Sequence, residues 1–137
     1  MSLVFRVMRE EADGYPRVEQ SANGLGVRPG SDIDIDPSGH VRVNDKGMSV
    51  NLNWRNAPTF RIPSRLRHLI EGARGSEANA CFRYGSGPFE RGEFAKGLMV
   101  EPDSSTHAVI VPNAPVPLAE YEADLAATRS EWEKFEE

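Results

Sequence analysis

Three short apolar stretches constrain the fold most: LVFRVM at 3–8, KGMSVNLNW at 46–54 and THAVIVP at 106–112. In the second, Met48, Val50, Leu52 and Trp54 fall on one face and Ser49, Asn51 and Asn53 on the other, which is the two-residue period of a half-buried strand. The first is apolar on both faces except at Arg6, and the third except at Thr106 and His107, so both predict buried strands, the last ended by Pro112.

Turn chemistry separates these stretches. ADGYP follows the first strand, and residues 14–32, including NGLGVRPGSD, are rich in Gly, Pro, Asn and Ser and predict a loop with several places for positive φ. DIDIDPSGHVRV alternates Ile33 and Ile35 with aspartates, turns at PSG, then alternates Val41 and Val43 with His40 and Arg42, predicting a hairpin whose partner is the 46–54 strand. Beyond Trp54 a short helix is expected from Ser64 to near Gly72, with Leu66, Leu69 and Ile70 as its buried stripe. Further strands are expected around Ala80–Tyr84 and Leu98–Glu101. From Leu118 to about Phe135 the spacing becomes helical, and Leu118, Tyr121, Leu125, Thr128 and Trp132 form the stripe that packs on the sheet. The expected class is α+β, an antiparallel β-rich core with a C-terminal helix, in a single domain spanning 1–137.

Composition excludes several functions. No stretch approaches membrane-spanning length, and the N-terminus lacks the apolar run of a signal peptide, so a cytoplasmic protein with no membrane partner is expected. One cysteine, Cys81, allows no internal disulfide and no cysteine-based metal framework. The net charge of −5 argues against non-specific nucleic-acid binding, which depends on clustered Lys and Arg. The charge is uneven: residues 1–75 carry 11 basic and 9 acidic side chains, or +2, and residues 76–137 carry 5 and 12, or −7. The first half, with Arg55, Arg61, Arg65, Arg67 and Arg74, has the local field to receive a small phosphate-bearing ligand.

Standard catalytic motifs are missing: there is no G-x-S-x-G elbow, P-loop, HExxH or Rossmann glycine pattern. His40, His68 and His107 lack metal-ligand spacing. What remains is an anomaly shared by the three strands, each of which carries one functional group amid apolar neighbours: Arg6, Ser49 and His107. An unpartnered buried guanidinium costs several kcal/mol, so Arg6 must meet a carboxylate, a carbonyl array or an anionic ligand. Together the three residues point to a shared site.

FRVM near the start, GLGVRPGSDIDID with GHVRV, KGMSV with a following Trp, and HAVIVPNAPVPLAEYEADLAATRSEW toward the end occur in an order that resembles a known family. It is that of the small ADP-ribosyltransferase-like toxin effectors of bacterial type VI secretion and the related toxins of toxin–antitoxin pairs. The resemblance spans most of the chain and is weakest over 70–100. It implies a β-rich core with an NAD-binding cleft to which three strands contribute. Arg6 matches the Arg that holds the nicotinamide ribose or a phosphate, and Ser49 matches the hydroxyl of the strand shaping the nicotinamide pocket. His107 stands where such transferases have a Glu, with Glu101 as a second candidate for that role. Arg28, in GVRPG, is a further anion contact on a glycine-rich loop.

The resemblance therefore implies a toxin of the bacterial cytoplasm that transfers ADP-ribose from NAD to an unidentified acceptor or splits NAD, with delivery by a secretion system as one route. It also implies a protective partner, an immunity protein or antitoxin, that occludes the cleft. Two alternatives stand beside it: a non-catalytic member of the same fold that acts by binding a nucleotide or protein, and an immunity-type interaction protein that uses its acidic C-terminal half as a contact surface.

Overall fold

The sheet at the centre of this chain consists of two zipped halves that meet at one residue pair. The computed structural model describes residues 3–44 and 46–136. In chain order the strands are β1 Val4–Arg9, β2 His40–Val41, β3 Met48–Asn51, β4 Asn79–Tyr84, β5 Gly92–Ala95, β6 Leu98–Pro102, β7 His107–Pro112, β8 Val116–Pro117 and β9 Glu133–Lys134. Helix α1 spans Leu118–Ala126, and short 3-10 turns lie at Trp54–Asn56, Ser64–Leu66 and Arg129–Glu131. Seven strands form one antiparallel sheet in the order β5-β6-β7-β3-β1-β4-β9, and β2 and β8 form a separate two-stranded ribbon. The class is α+β, as the sequence predicts, with strands dominating.

Register shows where the sheet is tight. β1 pairs with β4 at six successive positions, from Val4↔Tyr84 to Arg9↔Asn79. β3 pairs with β7 at four, from Met48↔Ile110 to Asn51↔His107, and β6 continues beyond β7 over five. Between β1 and β3 the register holds only at Phe5↔Asn51. The halves β5-β6-β7-β3 and β1-β4-β9 therefore splay apart beyond Asn51, toward Arg6 and Ser49.

Alternation along the strands fills both faces. Val4 and Met8 of β1, Met48 and Val50 of β3, Ala80, Phe82 and Tyr84 of β4, and Ala108 and Ile110 of β7 belong to the larger core cluster, with Tyr121 and Leu125 of α1 and Trp132. Phe5 and Val7 of β1 and Cys81 of β4 face a smaller cluster of Trp54, Ile62, Leu66 and Ala73, contributed by the irregular segment between β3 and β4. The Tyr121 hydroxyl ties the helix to the sheet by donating to the Ile110 carbonyl at 2.6 Å while accepting from the Met48 N–H at 3.2 Å.

Several expectations are corrected. The helical stripe is real, since Tyr121, Leu125, Thr128 and Trp132 are all buried, but α1 ends at Ala126 rather than near Phe135. Beyond it Trp132 packs against the stacked pair Tyr84 and Phe94, its ring centroid 5.2 and 6.0 Å from theirs, and its indole N–H donates to Thr128 Oγ1 at 3.0 Å. Glu133 and Lys134 then pair with Arg83 and Phe82 as the edge strand β9, so packing and pairing override helical propensity. The expected helix from Ser64 is a single 3-10 turn followed by turns. The 46–54 strand stops at Asn51: Leu52 is exposed, and Trp54 is buried from within a 3-10 turn. The hairpin at 33–43 does form a bridge, Ile35↔Val41, but β2 pairs with β8 and not with β3. The loop 14–32 carries Leu25 and Val27 into the core, and Gly24 and Gly26 serve close approach rather than positive φ. A Cβ on Gly26 would lie 2.1 Å from the Glu19 carbonyl oxygen. Among the described residues no helix is long and apolar enough to cross a membrane.

Candidate functional site

The splayed seam between β1 and β3 is held open by Arg6. By alternation its side chain starts on the face of Val4 and Met8, and its guanidinium reaches across to β3, where Nη1 donates to the Ser49 carbonyl at 2.7 Å. On its other side, Nε and Nη2 donate to the Gly24 carbonyl at 3.2 and 2.9 Å, and Nη2 to the Ala22 carbonyl at 3.2 Å. The sequence called for a carboxylate, a carbonyl array or an anion, and a carbonyl array is what Arg6 meets. Carbonyls take up most of its hydrogens without neutralising its charge, and only 5 % of the residue is exposed. Burial, followed by repulsion from Arg61, pushes its pKa down to about 10.

A cleft of about 200 Å³ opens at this seam, and Arg6, Ser49 and His107 all line it. Residues 43 positions apart (Arg6 and Ser49) are joined by a hydrogen bond, while His107 enters through the β3–β7 pairing, where it stands opposite Asn51. Ser49 and Asn51 share a strand face by alternation, and both line the cleft. His107 sits differently from expectation. It is the first residue of β7, not its middle, and its side chain is 34 % exposed.

The turn that delivers His107 also supplies its partner. The Ser104 hydroxyl accepts from the His107 and Thr106 backbone N–H groups at 3.0 and 3.2 Å, and the Asp103 N–H donates to the His107 carbonyl at 3.1 Å. That tight return brings the Asp103 carboxylate to 2.7 Å from His107 Nδ1. Because an ionised carboxylate can only accept, Nδ1 carries the hydrogen, and in the neutral ring Nε2 keeps its lone pair. Glu101, the other candidate, does not line the cleft, and its carboxylate accepts from Arg91 Nε at 2.8 Å. His40 opens β2 and His68 lies in a turn, both away from the cleft, their Nδ1 atoms 2.9 Å from Ser38 Oγ and 3.1 Å from the Arg65 carbonyl.

A second, smaller cavity of about 130 Å³ adjoins the first through the shared residues Arg6, Ser49 and Arg61, and it is here that Arg28 is found. Arg28 is already engaged. Its Nε and Nη2 donate to the Asp32 carboxylate at 3.1 and 3.0 Å, and its backbone N–H does so at 2.7 Å. Those hydrogen bonds and the charge of Asp32 raise its pKa. On the Asp32 side desolvation opposes ionisation, but the hydrogen bonds and charge of Arg28 outweigh it and hold the carboxyl below its usual range.

Sequence reasoning missed four contributors. Asn51 was legible as the same-face neighbour of Ser49, and Asp103 as the acid four residues before His107, but neither carried a stated role. Arg61 stood among five arginines with nothing to single it out. Asn56 comes from the 3-10 turn that replaced the end of the expected strand. Asn53, by contrast, turns to local structure, accepting from the Arg55 N–H at 3.0 Å as the cap of that turn.

No protein-family model matches this chain, no curated protein matches it, and no solved structure matches it. The chemistry of the cleft is therefore what speaks to function.

Proposed function

We propose that this protein is a toxin of the bacterial cytoplasm that uses NAD as substrate, breaking the bond between nicotinamide and ribose and passing ADP-ribose to an acceptor or to water. One observation carries the reading: Arg6, Ser49 and His107, selected as the lone functional groups of three separate strands, line one cleft.

The chemistry follows from the groups present. When the glycosidic bond breaks, its electron pair leaves with the nicotinamide nitrogen, neutralising that ring, and positive charge develops on the ribose carbon. A hydroxyl of water or of an acceptor then adds there and gives up a proton. His107 Nε2 is the base available to take it, and Asp103 behind Nδ1 stabilises the imidazolium that results. Where the family this chain resembles has a Glu, this arrangement supplies negative charge one residue further back, through the imidazole. Ser49 offers a hydroxyl to a ribose hydroxyl or to the nicotinamide amide, and Arg6 supplies positive potential while its carbonyl cage holds the seam open. Arg28 lies on the loop that borders the adjoining cavity, on the side where the remainder of the dinucleotide would extend.

A second reading, a non-catalytic member of the same fold that binds a nucleotide or protein and acts by binding alone, is favoured by the lack of any carboxylate lining the larger cleft among the described residues. Expression in a bacterial cytoplasm separates the two. The enzymatic reading expects growth arrest with falling NAD, both relieved by Ser49→Ala and by His107→Ala. It also expects relief by a co-expressed immunity protein or antitoxin that covers the cleft. Arrest that persists in both variants with NAD undiminished favours binding alone, and the absence of arrest contradicts the toxin assignment.

A further inference from the structure

Three guanidinium groups and one carboxylate surround the smaller cavity: Arg6, Arg28, Arg61 and Asp32. Asp32 is committed to Arg28 through two side-chain hydrogen bonds and one backbone hydrogen bond; its charge also reaches Arg6 and Arg61, but it forms no hydrogen bond with either among the described residues, and one carboxylate faces three guanidinium groups. Arg6 is buried, and its Nη1, which carries two hydrogens, has a single acceptor among the described residues, the Ser49 carbonyl.

Arg61 is the least satisfied of the three. Its guanidinium makes no hydrogen bond or ion pair among the described residues; its carbon lies 5.2 Å from the centre of the Phe60 ring, and Asp32 acts on it only through its charge. Its main chain, in contrast, is firmly placed: the N–H donates to the Pro58 carbonyl at 2.9 Å, and its carbonyl accepts from the Asn79 side-chain amide at 3.0 Å. The side chain lines both cavities, so it stands at their junction. Partial burial and the nearby charge of Arg28 lower its pKa, as expected when like charges are gathered in one place.

A half-buried arginine anchored by its backbone and given no acid partner is arranged to meet an acid that comes from outside. The cavity is the smaller of the two, about 130 Å³ against about 200 Å³ for the cleft it adjoins, and its charged lining suits a compact ion. We infer that this cavity is a site for a phosphate-type oxyanion, that Arg61 contacts the anion directly, and that Asp32 holds Arg28 as a reserve contact at its edge. The inference rests on the functional reading above only in giving the anion a source, the diphosphate of a dinucleotide whose ribose and nicotinamide occupy the larger cleft. A diphosphate carries enough negative charge to offset Arg6 and Arg61 together, whereas a monophosphate does so less completely.

Isothermal titration of the full chain with inorganic pyrophosphate at low ionic strength tests this. The parent binds pyrophosphate more tightly than orthophosphate. Arg61→Gln, which touches no buried hydrogen bond and leaves the melting temperature unchanged, weakens binding by about tenfold or more, the value of a charge-assisted hydrogen bond. Asp32→Asn tightens it, because it removes the negative charge that lines the cavity among the described residues and releases Arg28. Absence of pyrophosphate binding by the folded parent, or unchanged binding in Arg61→Gln, overturns the inference. The two proposals fail separately. A parent that binds pyrophosphate through Arg61 yet releases no nicotinamide from NAD leaves this site standing without the enzyme. Turnover of NAD by a parent and an Arg61→Gln variant that are alike, with no pyrophosphate bound, leaves the enzyme standing without this site.

Discussion

The two edges of β1 differ in a way that organises the whole molecule. Toward β4 the strand is zipped at six pairs and four of the six facing residues are apolar or aromatic, whereas toward β3 it is joined at one pair and the gap holds a guanidinium. The closed seam is built from area buried, and the open seam from hydrogen bonds to carbonyls that a regular ladder would have used otherwise. A sheet that closed fully here would bury Ser49 and leave Arg6 without acceptors. The lesson is that a buried charge in a strand acts as a spacer: satisfying its hydrogens draws on backbone groups from two other segments, β3 and the loop at 22–24, and gathering them keeps two strands apart.

The largest effect is expected where the closed half is broken. Trp132→Ala empties the aromatic cluster with Tyr84 and Phe94 and detaches the segment that leads into β9, at a cost of about 3–5 kcal/mol, a large share of the stability of a domain this size. Denaturant unfolding will show the loss as a lowered midpoint. Arg6→Met sharpens the comparison from the other side. It keeps the length of the side chain but strands the Gly24 and Ser49 carbonyls, at a cost of about 2–3 kcal/mol that the removal of a desolvated charge offsets only in part. The variant is expected to fold and, if the proposed function holds, to release no nicotinamide from NAD. Equal stability of this variant and the parent would show that the carbonyl cage contributes nothing.

A smaller effect concerns the carboxylates that tie the loops around both seams. Asp32, Asp34, Asp36 and Glu77 are all held below their ordinary values of 3.8 and 4.5. For Glu77 the Ser64 hydroxyl is the largest cause, and for Asp34 and Asp36 it is the side-chain hydrogen bonds of Lys46 and Ser38. A carboxylate whose folded pKa is depressed adds stability that is fully present above its unfolded pKa and is lost as pH falls through the folded one. Thermal melting is therefore expected to be level from neutral pH down to about pH 5 and to decline below about pH 4. A melting temperature that stays constant across that lower window would contradict these shifts.

Much of the closed half was legible in the sequence. LVFRVM declares a buried strand by composition, as THAVIVP does in the other half, a strand was expected near Ala80, and of the stripe Leu118, Tyr121, Leu125, Thr128 and Trp132 all but the partly buried Leu118 are buried. The end of the helix was not legible, because it is set by the aromatic pocket of Tyr84 and Phe94, which no local signal announces. The open half was legible as an anomaly rather than as a shape. Arg6, Ser49 and His107 stood out as polar groups in apolar strands, but the order of the strands, which decides that they meet, depends on long-range pairing. Asp103 and Arg61 stayed hidden for the same reason: each sits in a turn, where acids and arginines are ordinary, and acquires meaning only from what the fold places beside it.

Nicotinamide release from NAD by the purified protein tests the central claim most directly. The account predicts release by the parent and its loss in Ser49→Ala and His107→Ala, whose melting temperatures remain close to the parent's because neither side chain belongs to the core. A parent that releases no nicotinamide, or variants that release it as fast as the parent does, would contradict the claim that the open seam is a catalytic cleft.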